Sequence, residues 1–277
     1  MRKIKLIKTA VPTLEGAGVH LQRVFGYHDI PLFDPFLMMD DFRNDEPKDY
    51  LPGFPWHPHR GIETITYMLE GSAEHGDSIG NSGVISKGDV QWMTAGSGII
   101  HQEMPKPDAL GRMYGFQLWA NLPAQSKMIA PSYRDIKARQ IPVVMDPQGA
   151  EVKLICGAYL GHKAPVDDII IQPQYWDVYG YPERELHFPA AAGHTCFIYC
   201  YAGDAMVSDT KIGNHQAVLF EDGEGITLHT GSQGIRFLYL LGKPLGEPIA
   251  WGGPIVMNTR EELREAFADL DRGSFIK

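Results

Sequence analysis

The stretch Ile62-Glu-Thr-Ile-Thr-Tyr-Met-Leu69, closed by Gly71, decides the fold. Its β-branched and aromatic residues suit a pleated, half-buried strand, and the glycine ends it. Working outward, Val84-Ile-Ser86, Val90-Gln-Trp-Met-Thr94, Gly98-Ile-Ile-His-Gln-Glu-Met104 and Met113-Tyr-Gly-Phe-Gln-Leu-Trp119 follow, with Gly or Pro in the gaps. Short strands at such even spacing predict a small β-sandwich or barrel. The rhythm weakens after Pro123, through Pro131, Pro142 and Pro147, and then resumes. Glu151–Cys156, Ile169–Ile171 and Thr195–Tyr201 read as strands. Ala217–Phe220, Ile226–His229 and Ile235–Leu241 then stand where Val90–Thr94, Ile99–Glu103 and Met113–Trp119 stood. This predicts a duplicated all-β chain with barrel domains over 1–135 and 136–277. One helix is signalled near the end. Thr259-Arg-Glu-Glu262 is a capping box, Leu263, Ala266, Phe267 and Leu270 make an apolar stripe, and Gly273 stops it. Such a helix is expected to pack on the fold and do no chemistry.

Composition narrows the function. Of 277 residues, 44% are hydrophobic and 21% charged, which is ample for a core and excludes disorder as the main state. A net charge of -9 argues against direct nucleic-acid binding. The basic start Met1–Lys8 runs into Thr9–Gly16 without a continuous apolar stretch, so it reads as an amphipathic first strand and not a signal peptide. No apolar run is long enough to span a membrane. Three cysteines without metal-like spacing predict no disulfide framework and a reducing, cytoplasmic location.

Two pairs of residues carry the chemistry. In Trp56-His-Pro-His59, strand alternation points His57 and His59 to one side, as a metal site requires. In Ile99-Ile-His-Gln-Glu103, His101 and Glu103 share a face in the same way. Three histidines and a carboxylate from neighbouring barrel strands form a candidate ligand set. Other polar groups read blandly. His75 and Asp77 sit in a turn-like composition, Asp40 and Asp41 pair or cap locally, and Cys196 and Cys200 read as buried thiols. Phe36, Trp56, Trp92 and Met93 lie near the ligand strands. A pocket lined by some of them would discriminate only weakly among substrates.

These motifs resemble the pirin family of the cupin superfamily. The resemblance rests on Phe36–Phe42, His57-Pro-His-Arg-Gly-Ile-Glu-Thr-Ile-Thr-Tyr67, Leu69-Glu-Gly71, His75-Gly-Asp-Ser78 and Gly96-Ser-Gly-Ile-Ile-His-Gln-Glu103. It implies a bicupin, two double-stranded β-helix barrels in tandem. The first would hold one divalent metal through His57, His59, His101 and Glu103, and the second none. Iron(II) is the expected metal. Manganese, cobalt, nickel or copper suit open coordination better than zinc, whose protein sites are commonly closed and tetrahedral. Many cupins carry a glutamate shortly after the His-x-His pair. Glu63 sits there and is expected behind the ligands, near Arg60. The resemblance further implies quercetin 2,3-dioxygenase chemistry on a small aromatic substrate with O2, Glu103 removing the substrate's hydroxyl proton. Its alternative is a non-catalytic metal-binding regulator of a transcription factor or metabolic enzyme.

Overall fold

A computed structural model describes residues 1–166 and 169–277 of the chain. Strands dominate, and a single α-helix, Arg260–Asp271, stands near the end of the described residues. The chain forms two compact units, but they are not the contiguous halves expected from the sequence. One comprises Met1–Ala10, Leu32–Pro35 and Arg139–Pro244; the other comprises Val11–Pro31, Phe36–Ala138 and Leu245–Lys277. The switch from one unit to the other near residue 138 lies close to the expected boundary, whereas both chain ends are exchanged.

The second of these units carries the histidines. Its seven-stranded sheet runs Ser132–Ile136, Val90–Thr94, Ile62–Glu70, Tyr114–Asn121, Phe36–Asp41, Val19–Phe25 and Val11–Glu15, every pair antiparallel. A four-stranded sheet runs Phe54–His59, Ile99–Lys106, Ser72–Asp77 and Ser82–Ile85. The two sheets share one interior: Leu21 and Met68 pack with Ala73 and Ile85, and Ile62 and Met93 pack with Ile99. Register is regular from Ile62 to Met68, before an irregularity ahead of Glu70. Ile62, Thr66 and Met68 point inward, so Glu63, Ile65 and Tyr67 point to the opposite face. A row of directly opposed interior residues crosses five strands of the large sheet: Gln91, Thr66, Gln117, Asp40 and Arg23. Register, once set by the apolar neighbours, aligns polar groups into a line.

The other unit is built on one nine-stranded sheet around an apolar core that includes Trp176, Phe188, Phe237 and Tyr239. Thr195–Val207 lies between Gln216–Phe220 and Gly225–Gly242, as Ile62–Glu70 lies between Val90–Thr94 and Tyr114–Asn121. The duplication therefore holds at the level of strand pairing. Ile226–His229 and Ile235–Leu241 form one continuous strand, Gly225–Gly242, and Ile169–Ile171 lies in a turn rather than a strand. The expected first strand is Ile4–Thr9, and it pairs with Gln216–Phe220 in this unit. Cys156, Cys196 and Cys200 are buried thiols. Among the described residues, no helix is long and apolar enough to cross a membrane.

Candidate metal centre

Phe54–His59 pairs antiparallel with Ile99–Lys106, placing His57 opposite His101 and His59 opposite Ile99. One ring nitrogen from each of His57, His59 and His101 lies within 4.8 Å of the others, and the ring centroids are 4.3–5.0 Å apart. His57 Nδ1 lies 2.9 Å from the Pro55 carbonyl and His59 Nδ1 lies 3.1 Å from the Pro254 carbonyl. A carbonyl only accepts, so each Nδ1 carries a proton and each Nε2 points away from that carbonyl. His101 is fully buried, and neither of its nitrogens has a hydrogen-bond partner. Desolvation, reinforced by His57, lowers His59 to about 3, and the same causes, with His59 and His75 added, hold His101 well below its ordinary range. The His59 and His101 imidazoles are therefore neutral at pH 7. Converging unprotonated donors with partnerless buried atoms fit a divalent transition metal, which would supply the missing partner.

Glu103 is brought to the same interior face as His101 but is not part of that tight group. Thr66 Oγ1 donates to its Oε1 and Gln117 Nε2 to its Oε2, each at 3.0 Å. Burial alternates along Ile99–Lys106, with His101 and Glu103 both inward, as expected. Glu63 and Arg60 require correction. Glu63 is buried on the opposite face of the sheet, accepting from Thr94 Oγ1 at 2.7 Å. Strand parity counted from His59 fails because Gly61, at φ +79°, turns the chain between the two strands. Arg60 does not support the ligands either. Its guanidinium donates to Ser97 O, Asp269 Oδ2 and Phe275 O, and lies 4.2 Å from the Phe275 ring centroid. The C-terminal helix is thus clamped beside the ligand strand. His75 is a buried strand residue, its Nδ1 accepting from Gln91 and its Nε2 donating to Asp77. Asp77 also accepts from Asn81 and Ile79 in the following turn.

A cavity of about 760 Å³ opens onto His57 and His59. One wall is aromatic: Trp119 stands edge-on to His59 at 5.0 Å, with Trp251 and Tyr27 beyond it. The other is polar, made by Gln117, Asp40, Arg23 and Glu15. The pocket residues expected from the sequence are elsewhere. Phe36, Trp92 and Met93 are buried in packing, and Trp56 is exposed outside this cavity. Alternation along Phe36–Asp41 could have flagged Asp40, which follows the inward Met38 by two. Nothing local to Trp251 could have placed it here.

Two barrels, one gathering three imidazoles beside a half-aromatic cavity, make this a bicupin with a candidate metal centre. The pirin model matches residues 18–120 and the pirin C-terminal cupin domain matches 175–276, and the chain belongs to the pirin family. A pirin-like protein of Caulobacter vibrioides is 44% identical, covering 98% of each chain. Human pirin is 36% identical over 97% of this chain and 92% of its own. The crystal structure of quercetin 2,3-dioxygenase from Acinetobacter baumannii superposes with a TM-score of 0.91 at 32% identity, covering each chain completely.

Proposed function

We propose that the protein is a metal-dependent dioxygenase that opens the ring of a flavonol with O2. The observation that carries this reading is the buried, partnerless His101 gathered with His57 and His59, the latter two lining a cavity with an aromatic wall. These three residues, with Glu103 as fourth, would hold one divalent metal, iron(II) before manganese, cobalt, nickel, copper or zinc. Bound there, a redox-active metal would supply Lewis acidity and a site for O2.

The chain's own residues do the rest. The Pro55 and Pro254 carbonyls fix the tautomers of His57 and His59. Thr66 and Gln117 orient Glu103, whose carboxylate oxygens keep lone pairs able to take the hydroxyl proton of a substrate. Trp119, Trp251 and Tyr27 offer flat apolar surface to a planar ring and displace water from it. Three buried thiols suit a reducing cytoplasm.

The test is metal analysis of the purified chain combined with a flavonol assay of the iron-loaded protein. We expect one metal per chain and flavonol consumption in air that stops without O2. Equal product yield with and without oxygen would exclude the mechanism. A metal-loaded protein that turns over no flavonol would instead favour the regulator that binds a transcription factor or metabolic enzyme.

A further inference from the structure

The cavity's polar wall is not an incidental fringe. It is the open end of the row Gln91, Thr66, Gln117, Asp40 and Arg23, set in register across five strands. The inner members are occupied: Gln91 serves His75, and Thr66 and Gln117 hold Glu103. The outer members face the cavity. Arg23 donates from Nε and Nη2 to the two oxygens of Asp40, each at 2.8 Å, and its Nη1 lies 2.8 Å from Glu15 Oε1. One guanidinium thus stands between two carboxylates, and the wall carries a net charge of about −1. Asp40 is nine-tenths buried or more, while Arg23 and Glu15 are partly exposed in the cavity. Each carboxylate oxygen of Asp40 takes one guanidinium hydrogen and has room in its lone pairs for a second donor.

We propose that Asp40, Arg23 and Glu15 are specificity-determining residues that read hydroxyl donors on the part of an aromatic ligand that lies away from the histidines. The inference rests on the flavonol reading for its ligand class, but it concerns binding and not turnover. A planar ligand stacked along Trp119 and Trp251 would meet this wall with its edge. Hydroxyl hydrogens there find carboxylate acceptors, and a carboxylate, sulfate or phosphate at that edge meets like charge. A polar site of this kind discriminates far more sharply than an apolar pocket, because a ligand lacking the hydroxyl leaves a desolvated carboxylate without its partner. The weak discrimination expected from an apolar pocket is accordingly replaced by graded selection.

The test uses the full chain loaded with zinc(II), which does no redox chemistry. Binding is read by quenching of tryptophan fluorescence with three flavonols carrying two, one and no hydroxyls on the pendant ring, and a fourth carrying a sulfate there. We expect affinity to fall about tenfold as each hydroxyl is removed, and the sulfate to bind least. Asp40→Asn should flatten the series. Glu15→Gln, at a partly exposed position that leaves the buried pair intact, should improve binding of the sulfate without weakening the unsubstituted flavonol. Equal affinities across the series in the unmodified protein would overturn the inference, as would a series unchanged in both variants, or no binding at all. Graded binding with no ring opening by the iron-loaded protein would leave it standing and remove the dioxygenase reading alone.

Discussion

His101 bears the largest functional weight of any single side chain. A buried imidazole with two partnerless nitrogens is costly in a core unless something binds it. His101→Ala should therefore fold normally but lose metal affinity by more than about 100-fold, measured by metal titration with circular dichroism as the folding control. The two glutamates separate cleanly. Glu103→Gln removes the proton acceptor while retaining an amide oxygen, so turnover should fall by about 10²–10⁴-fold with a much smaller loss of bound metal. Glu63→Gln, on the other face of the sheet, should leave metal content unchanged. The reverse ranking in parallel metal and activity assays would contradict the assignment. At this scale the clustering of the three histidines was legible because alternation is a local rule within one strand. Glu63 was not, because Gly61 interrupts the count; nor was the role of Arg60, whose partner Asp269 lies 209 residues away.

The C-terminal helix shows how an element outside the barrel supports the site. Thr259 caps it by accepting from the Glu262 amide, and the Glu262 carboxylate returns the bond, as the capping box predicts. Its placement depends on Asp269 meeting Arg60, one residue beyond His59. Arg60 also holds the Ser97 and Phe275 carbonyls, so Arg60→Ala should lower the midpoint of urea unfolding even though Lys277 and Arg272 still pair with Asp269. The pH dependence follows from Asp269. Arg60 first, then Lys277 and Arg272, hold its carboxyl well below the ordinary value of 3.8. Such a group contributes stability that is fully present above the unfolded value and lost as pH falls below it. The midpoint of urea unfolding should drop on acidification below about pH 4, and Asp269→Asn should flatten that drop. The helix itself was plain from its cap and stripe. Its docking surface was not, since no local pattern encodes a partner so distant in sequence.

Across the molecule, the two barrels share strand pairing but not chemistry. When Ile226 is set against Ile99, as the repeat suggests, Leu186, Phe188 and Leu228 occupy the places of His57, His59 and His101. All three are buried in the apolar core. Metal content should thus saturate at one ion per chain, and the double variant His57→Ala, His101→Ala should retain no stoichiometric metal by elemental analysis. Strand rhythm made this duplication readable, whereas the exchange of both chain ends leaves no trace in periodicity or composition. Arg2 illustrates it, donating to Ala191, His194 and Gly223 carbonyls far along the chain. Truncation after Pro244 should abolish metal binding, because it removes Pro254, Trp251 and the clamp on Arg60 together.

The same exchange imposes an order on biosynthesis. A ribosome releases residues 11–138 early, including all three clustered histidines, but the segment 245–277 that completes their unit emerges only after the whole of the other barrel. Until then the carbonyl that sets the His59 tautomer and the indole that shapes the cavity are still inside the translation machinery or not yet made. The nascent histidines can meet cellular metals before their selective environment exists. Any metal taken up at these histidines would therefore meet its finished surroundings only after translation, once the tail has docked.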